Sequence, residues 1–185
     1  MTDLKNGKIQ LGGGELSPSV TRSRVEKEFG LRCAHKIVGN YDPKTNKSDL
    51  TYYVYESEGE NIEGVEFSVR ATFANEKLYH VTLVPSIPEI DSKYDLRGYA
   101  IERWIPYKKE IRKELDKWLK KQLGKPSTKD NDETTYIFKD VTISTASKVV
   151  SDYDGRAEVV GGQVDIHYES VMGIDFFSGD EAEVK

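Results

Sequence analysis

The chain is short of sulfur and of long apolar runs. It has one cysteine, Cys33, in 185 residues. A lone cysteine excludes an internal disulfide framework, fits a reducing cytoplasm, and cannot build the usual sulfur-rich zinc site. No run of about 18 apolar residues occurs, which argues against a membrane-spanning helix. The first residues, MTDLKNGKIQLGGG, lack an apolar signal core, so the sequence predicts a cytoplasmic protein with no membrane association. Motif-borne chemistry is equally scarce. Gly12-Gly13-Gly14 is not followed by the lysine and hydroxyl residue of a phosphate loop, and reads as a turn. His35, His80 and His167 fall in three separate predicted strands, with no HxH or HExxH spacing, so neither a metal nor another cofactor is expected.

What is present is charge and tyrosine. Charged residues make up 32% of the chain and hydrophobic ones 37%, with eleven tyrosines and a net charge of −5. These values describe a polar globular chain that is ordered over most of its length, read as one domain over 1–185. The charge is unevenly spread. From Tyr99 to Lys125 nine Lys or Arg face four Asp or Glu, whereas from Pro126 to Lys185 five face thirteen. Glu56 to Glu66 holds five glutamates and no base. The acidic remainder would repel phosphate, which argues against direct nucleic-acid binding.

Periodicity defines the elements. From Trp104 to Pro126, the residues Trp104, Ile111, Leu115, Trp118, Leu119 and Leu123 recur mostly every three or four positions, giving one apolar helical stripe among lysines. Pro106 suits a first turn, and Gly124 with Pro126 forms a stop. A short helix capped near Ser19 or Thr21 ends at Phe29 before Gly30. Val65, Phe67, Val69, Ala71 and Phe73 alternate with polar residues, the pattern of an antiparallel strand with one wet face. Further strands are predicted at Lys8–Leu11, Leu31–Ile37, Leu50–Glu56, Leu78–Val84, Tyr136–Phe138, Val141–Thr145 and Val164–Tyr168. Turns are expected at Asp152–Arg156 and Gly161-Gly162, a mobile polar loop near 126–134, and a frayed acidic C-terminus. This order gives an α+β fold: a mainly antiparallel, twisted sheet with the long helix and the short N-terminal helix packed on it.

Candidate sites are weak when taken singly. Cys33 and His35 share a strand face, but two strand positions lie roughly 7 Å apart, too far for a nucleophile–base bond. Asp152 and Asp154 before Gly155 could hold a cation, but lack the further oxygens of a calcium loop. Glu56, Glu58, Glu60 and Glu63 could pair as carboxylates for acid–base work, which would need an enclosed site; a solvated loop is the default for such a run.

The helix WxxYKKExxxxxDxWLxxQLGKP, the strand VTISTASK, SDYDG, Gly161-Gly162 and VDIHYES, with the N-terminal pattern from Asn6-Gly7-Lys8-Ile9 through Ser17-Pro18 and Thr21, resemble a widespread group of small bacterial proteins. The likeness covers about half the chain. Two departures are Tyr136-Ile137-Phe138, where members often carry Trp-Gly, and the insertion Ala157–Val160. In size and genomic habit that group resembles cytoplasmic immunity proteins of contact-dependent growth inhibition and polymorphic toxin systems. The resemblance implies a non-enzymatic toxin inhibitor that forms a one-to-one complex, and it carries over no catalytic residues. The expected contact residues are the tyrosines Tyr53, Tyr55 and Tyr153, with Tyr52 beside them, and the carboxylates Glu56, Glu58, Glu60, Glu63, Asp152 and Asp154. The alternatives are a small enzyme built on His80, His167 and Asp165, and a self-associating scaffold protein.

Overall fold

In the computed structural model, residues 2–29, 31, 33–42, 44, 47–94, 101–151 and 157–169 are described. The fold is α+β. A short hairpin, β1 (Ile9–Leu11) and β2 (Gly14–Leu16), closes over Gly12-Gly13. Next come a helical turn α1 (Arg22–Arg24) and a π-turn (Val25–Phe29), capped by Thr21, whose hydroxyl accepts from the Arg24 N–H. The main sheet contains β3 (Cys33–Asp42), β4 (Lys47–Ile62), β5 (Val65–Ala74), β6 (Lys77–Ser86), β7 (Thr128–Lys129), β8 (Glu133–Ile137), β9 (Val141–Ser151) and β10 (Ala157–Tyr168). Its order is β3-β4-β5-β6-β10-β9-β8-β7, antiparallel throughout. The helices α2 (Pro88–Asp91) and α3 (Ile101–Leu123) lie between β6 and β7 in the chain.

One face of the sheet is the core. Phe67, Val69, Ala71 and Phe73 of β5 point into it, with Leu78, Val81 and Leu83 of β6 and Val164, Ile166 and Tyr168 of β10. Ile111, Leu115, Trp118, Leu119 and Leu123 of α3 cover the β9–β10 half, and Leu4, Ile9, Leu11, Leu16, Val20 and Val25 complete the cover. The N-terminal segment is locked by Tyr168, whose phenol donates to the Gly7 carbonyl at 3.0 Å.

Several expectations change. The glutamate run is not a solvated loop: β4 continues to Ile62, because β5 pairs with it down to Ile62↔Val65. Gly161-Gly162 is not a turn but a bulge inside β10, where the register against β9 shifts. The stretch expected as a polar loop near 126–134 contains β7 and the start of β8, and Arg112 donates to the carbonyls of Asp130 and Asn131. A bulge between Cys33 and His35 leaves Cys33 opposite Tyr55 and His35 opposite Val54, so the two side chains do not share a face. The Cys33 thiol donates instead to the His35 carbonyl. The long helix begins at Ile101, so Pro106 lies inside it. The turn expected at 152–156 and the C-terminal residues 170–185 lie outside the described residues.

Candidate functional site

The acidic residues gather where β4 and β5 outrun β3. β3 pairs with β4 no further than Tyr55, so residues 56–62 and their β5 partners project beyond it. The projection ends in a tight turn with Glu63 at φ +50° and Gly64 at φ +85°. Glu56, Glu58, Glu63 and Glu66 are exposed. Glu56 pairs with Arg70; Glu58, Glu63 and Glu66 have no ion pair among the described residues. Glu60 is committed inward: it accepts from the Gly12 N–H at 2.8 Å and from the Ser57 hydroxyl, which ties the projection to the N-terminal hairpin.

Beneath this end is a cavity of ≈ 460 Å³ between the β4–β5 turn, the β6–α2 connection and α3. Its walls include Val65, Ile87, Pro88, Leu115 and Trp118; Glu66, Glu89, Glu114, Lys117 and Lys121 also line it. Glu114 pairs with Lys117 at 2.7 Å, whereas Glu89 has no ion pair among the described residues. The connection is held against the helix by Tyr107, whose hydroxyl donates to Asp91 at 2.9 Å. Sequence reading missed Glu89 and Trp118 as neighbours of the glutamate run, because no local pattern joins positions so far apart in the chain.

The tyrosines fare differently. Tyr55 is fully buried, and its phenol donates to Glu26, which removes it as a surface anchor. The cause is register: Tyr55 lies opposite Ala71, on the core face, where its ring meets Phe73 edge-on at 5.6 Å. Tyr53 is half-buried beneath the Arg22 guanidinium, 4.3 Å from its ring centre. Tyr52 is on the opposite face, 5.9 Å from Tyr79. Asp152, Tyr153 and Asp154 lie outside the described residues.

That opposite face carries a second constellation. Cross-strand pairing runs His35–Val54–Thr72–His80–His167, so all three histidines share one row. His80 and His167 stack, with ring centres 4.3 Å apart and planes 12° apart. Asp165 receives Thr82 at 3.2 Å and Gln163 at 3.0 Å, and its Oδ1 lies 3.1 Å from His80 Nε2. The residues of the enzyme alternative therefore meet in space. Parallel stacked rings point their nitrogen lone pairs along parallel planes, which do not converge on one ion. Among the described residues no group of three or more His, Cys, Asp or Glu is placed to hold a metal.

Burial pushes the Asp165 carboxyl upward, but the bonds from His80, Gln163 and Thr82 outweigh it and hold it below the usual range. His167 is pushed down, first by burial and then by His80, against the pull of Asp165 and Glu133. A histidine lowered in the folded state stabilises the fold above its unfolded pKa of about 6.5, and this is lost as pH falls. Urea denaturation should therefore show wild type losing stability between about pH 7.5 and pH 5.5, and His167→Gln losing less over that interval. Equal losses in the two proteins would assign the effect elsewhere.

Comparison with family models, with curated proteins and with solved structures gives no match for this chain. No helix of the described residues is long and apolar enough to cross a membrane.

Proposed function

We propose that this protein is a cytoplasmic immunity protein that binds a cognate bacterial toxin domain, one to one, and neutralises it by occlusion. The observation that carries the reading is the projecting acidic end, where Glu58, Glu63 and Glu66 have no ion pair among the described residues. Carboxylates gathered at one end attract a basic surface, such as that of a nuclease, and raise the association rate more than the affinity. Occlusion needs no catalytic residues in the inhibitor. The test is co-expression with the C-terminal domain of the protein encoded by the open reading frame immediately upstream. Rescue from killing, co-purification, and an association rate that falls steeply with salt are expected. Toxicity without rescue would refute immunity, and a rate indifferent to salt would remove the steering.

The assembly of His80, Asp165 and His167 favours a second reading, a small enzyme using that row. The cavities beside Trp118, Phe138 and Tyr136 do not include these side chains, and this reading stands second. His80→Ala with His167→Ala should leave toxin neutralisation intact if the first reading holds.

A further inference from the structure

We infer that the cleft between α3, the β4–β5 turn and the β6–α2 connection is the docking site for a basic protein segment that inserts one bulky apolar side chain. The inference rests on the inhibitor reading and narrows it to one place and one partner chemistry.

Three features support it. The first is the division between walls and rim. Val65, Ile87, Pro88, Leu115 and Trp118 give the ≈ 460 Å³ cleft an apolar interior. Such volume lies within the usual range for binding pockets, about 300–1,000 Å³.

The second is charge. Glu66 and Glu89 on the sheet side have no ion pair among the described residues, and Glu63 is the next turn residue. On the helix side Lys117 is engaged by Glu114, which leaves Lys121 as the opposing cation at the lip. Two carboxylates without an ion pair against one such lysine leave the cleft with an excess of negative charge, which lysine or arginine arriving from outside neutralises. The same carboxylates repel phosphate, so a nucleic acid or an anionic membrane is the wrong occupant.

The third is preorganisation. Trp118 is 8% exposed and packs on Phe67 with ring centres 5.2 Å apart, so the wall is formed before any guest arrives. Its indole Nε1 is buried with no acceptor among the described residues. Rigid aromatic walls ringed by polar groups are where interface energy concentrates.

The test uses the full chain, isotope-labelled, and a synthetic probe peptide of lysine and arginine around a single leucine. Its controls are the same peptide with alanine for leucine, and with glutamate for the basic residues. The expected result is a shift of the Trp118 indole and Leu115 methyl resonances that saturates with the leucine peptide and is absent with either control. The doubly reversed variant Glu66→Lys with Glu89→Lys changes two exposed side chains and keeps the fold, as resonance dispersion would verify. It should bind the probe at least about tenfold more weakly, a change of ~1.4 kcal/mol. Shifts that map elsewhere, binding indifferent to the reversal, or no shift at millimolar peptide would overturn the inference. The two readings fail separately. A variant that still neutralises the toxin fully overturns the cleft and spares immunity. Peptide capture without toxin rescue does the reverse.

Discussion

Alanine at Gly161 is expected to destabilise the protein by about 3–5 kcal/mol, adding positive-φ strain to overpacking. Gly161 has φ +101° at the bulge of β10. A Cβ there would lie 2.0 Å from the Ala146 carbonyl oxygen and 2.4 Å from its carbon. Those are backbone atoms of the neighbouring strand β9, and they cannot swing aside as a side chain can. The methyl group would have to part β9 from β10, the two strands on which α3 rests. For a chain of this length the melting temperature should fall by roughly 10 °C or more. Gly162→Ala is the matched control. Its Cβ would meet the Lys108 side chain at 2.6 Å, which can give way, so the remaining penalty is mainly that of φ +72°. Thermal melts of the two variants side by side decide the matter. A Gly161→Ala protein that melts within a degree or two of wild type would mean that the bulge is not held as described.

The second large effect is expected at Asp116, on the sheet-facing side of α3. Its carboxylate accepts Thr145 Oγ1 at 2.7 Å, Thr134 Oγ1 at 3.1 Å and Lys129 Nζ at 2.6 Å. Thr134 and Thr145 are buried, and Arg112, one turn earlier, donates to the same Thr134 hydroxyl at 3.2 Å. Thus the helix is joined to β8, β9 and β7 by one polar seam inside an otherwise apolar contact. Asp116→Ala would take the acceptor from two buried hydroxyls, with Thr134 keeping only the bond it receives from Arg112, and a loss of about 2–4 kcal/mol is expected. The pH dependence follows from the carboxyl itself. Burial pushes it up, but bonds from Lys129, Thr145 and Thr134 outweigh burial and hold it below the usual range. A lowered carboxyl stabilises the fold above its unfolded pKa of about 3.9, and this is lost as pH falls through the folded value. The gap between wild type and Asp116→Ala should therefore be full near neutral pH and shrink in acid. Denaturant curves at both ends of that range measure it. A gap that stays constant would assign the loss to packing alone.

The same seam shows where sequence reading stops. Asp116 reads as one more charge on a lysine-rich helix, since nothing in its neighbourhood announces Thr134 or Thr145. The helix itself was legible, because its apolar stripe repeats at a period that any window of the sequence carries. The alternation from Val65 to Phe73 was legible for the same reason, and it is the strand as found. The continuation of β4 through Ser57–Ile62 was not. From Ser57 to Asn61 that stretch has no apolar side chain, and it stays extended because β5 pairs with it and Gly12 holds Glu60. Of the expected contact residues, Glu56, Glu58 and Glu63 are at the surface, whereas Tyr55 is in the core.

By itself, then, the sequence determined the kinds of element, the α+β class and the acidic character of one segment, all of which depend on composition and short-range period. The tertiary structure alone decided which residues meet: Glu66 with Glu89 and Trp118 around one cleft, His80 with His167 in one stack, and Gly161 against the Ala146 carbonyl. The physical reason is that strand register is settled by packing summed over the whole sheet, and a shift of one residue turns every side chain to the other face.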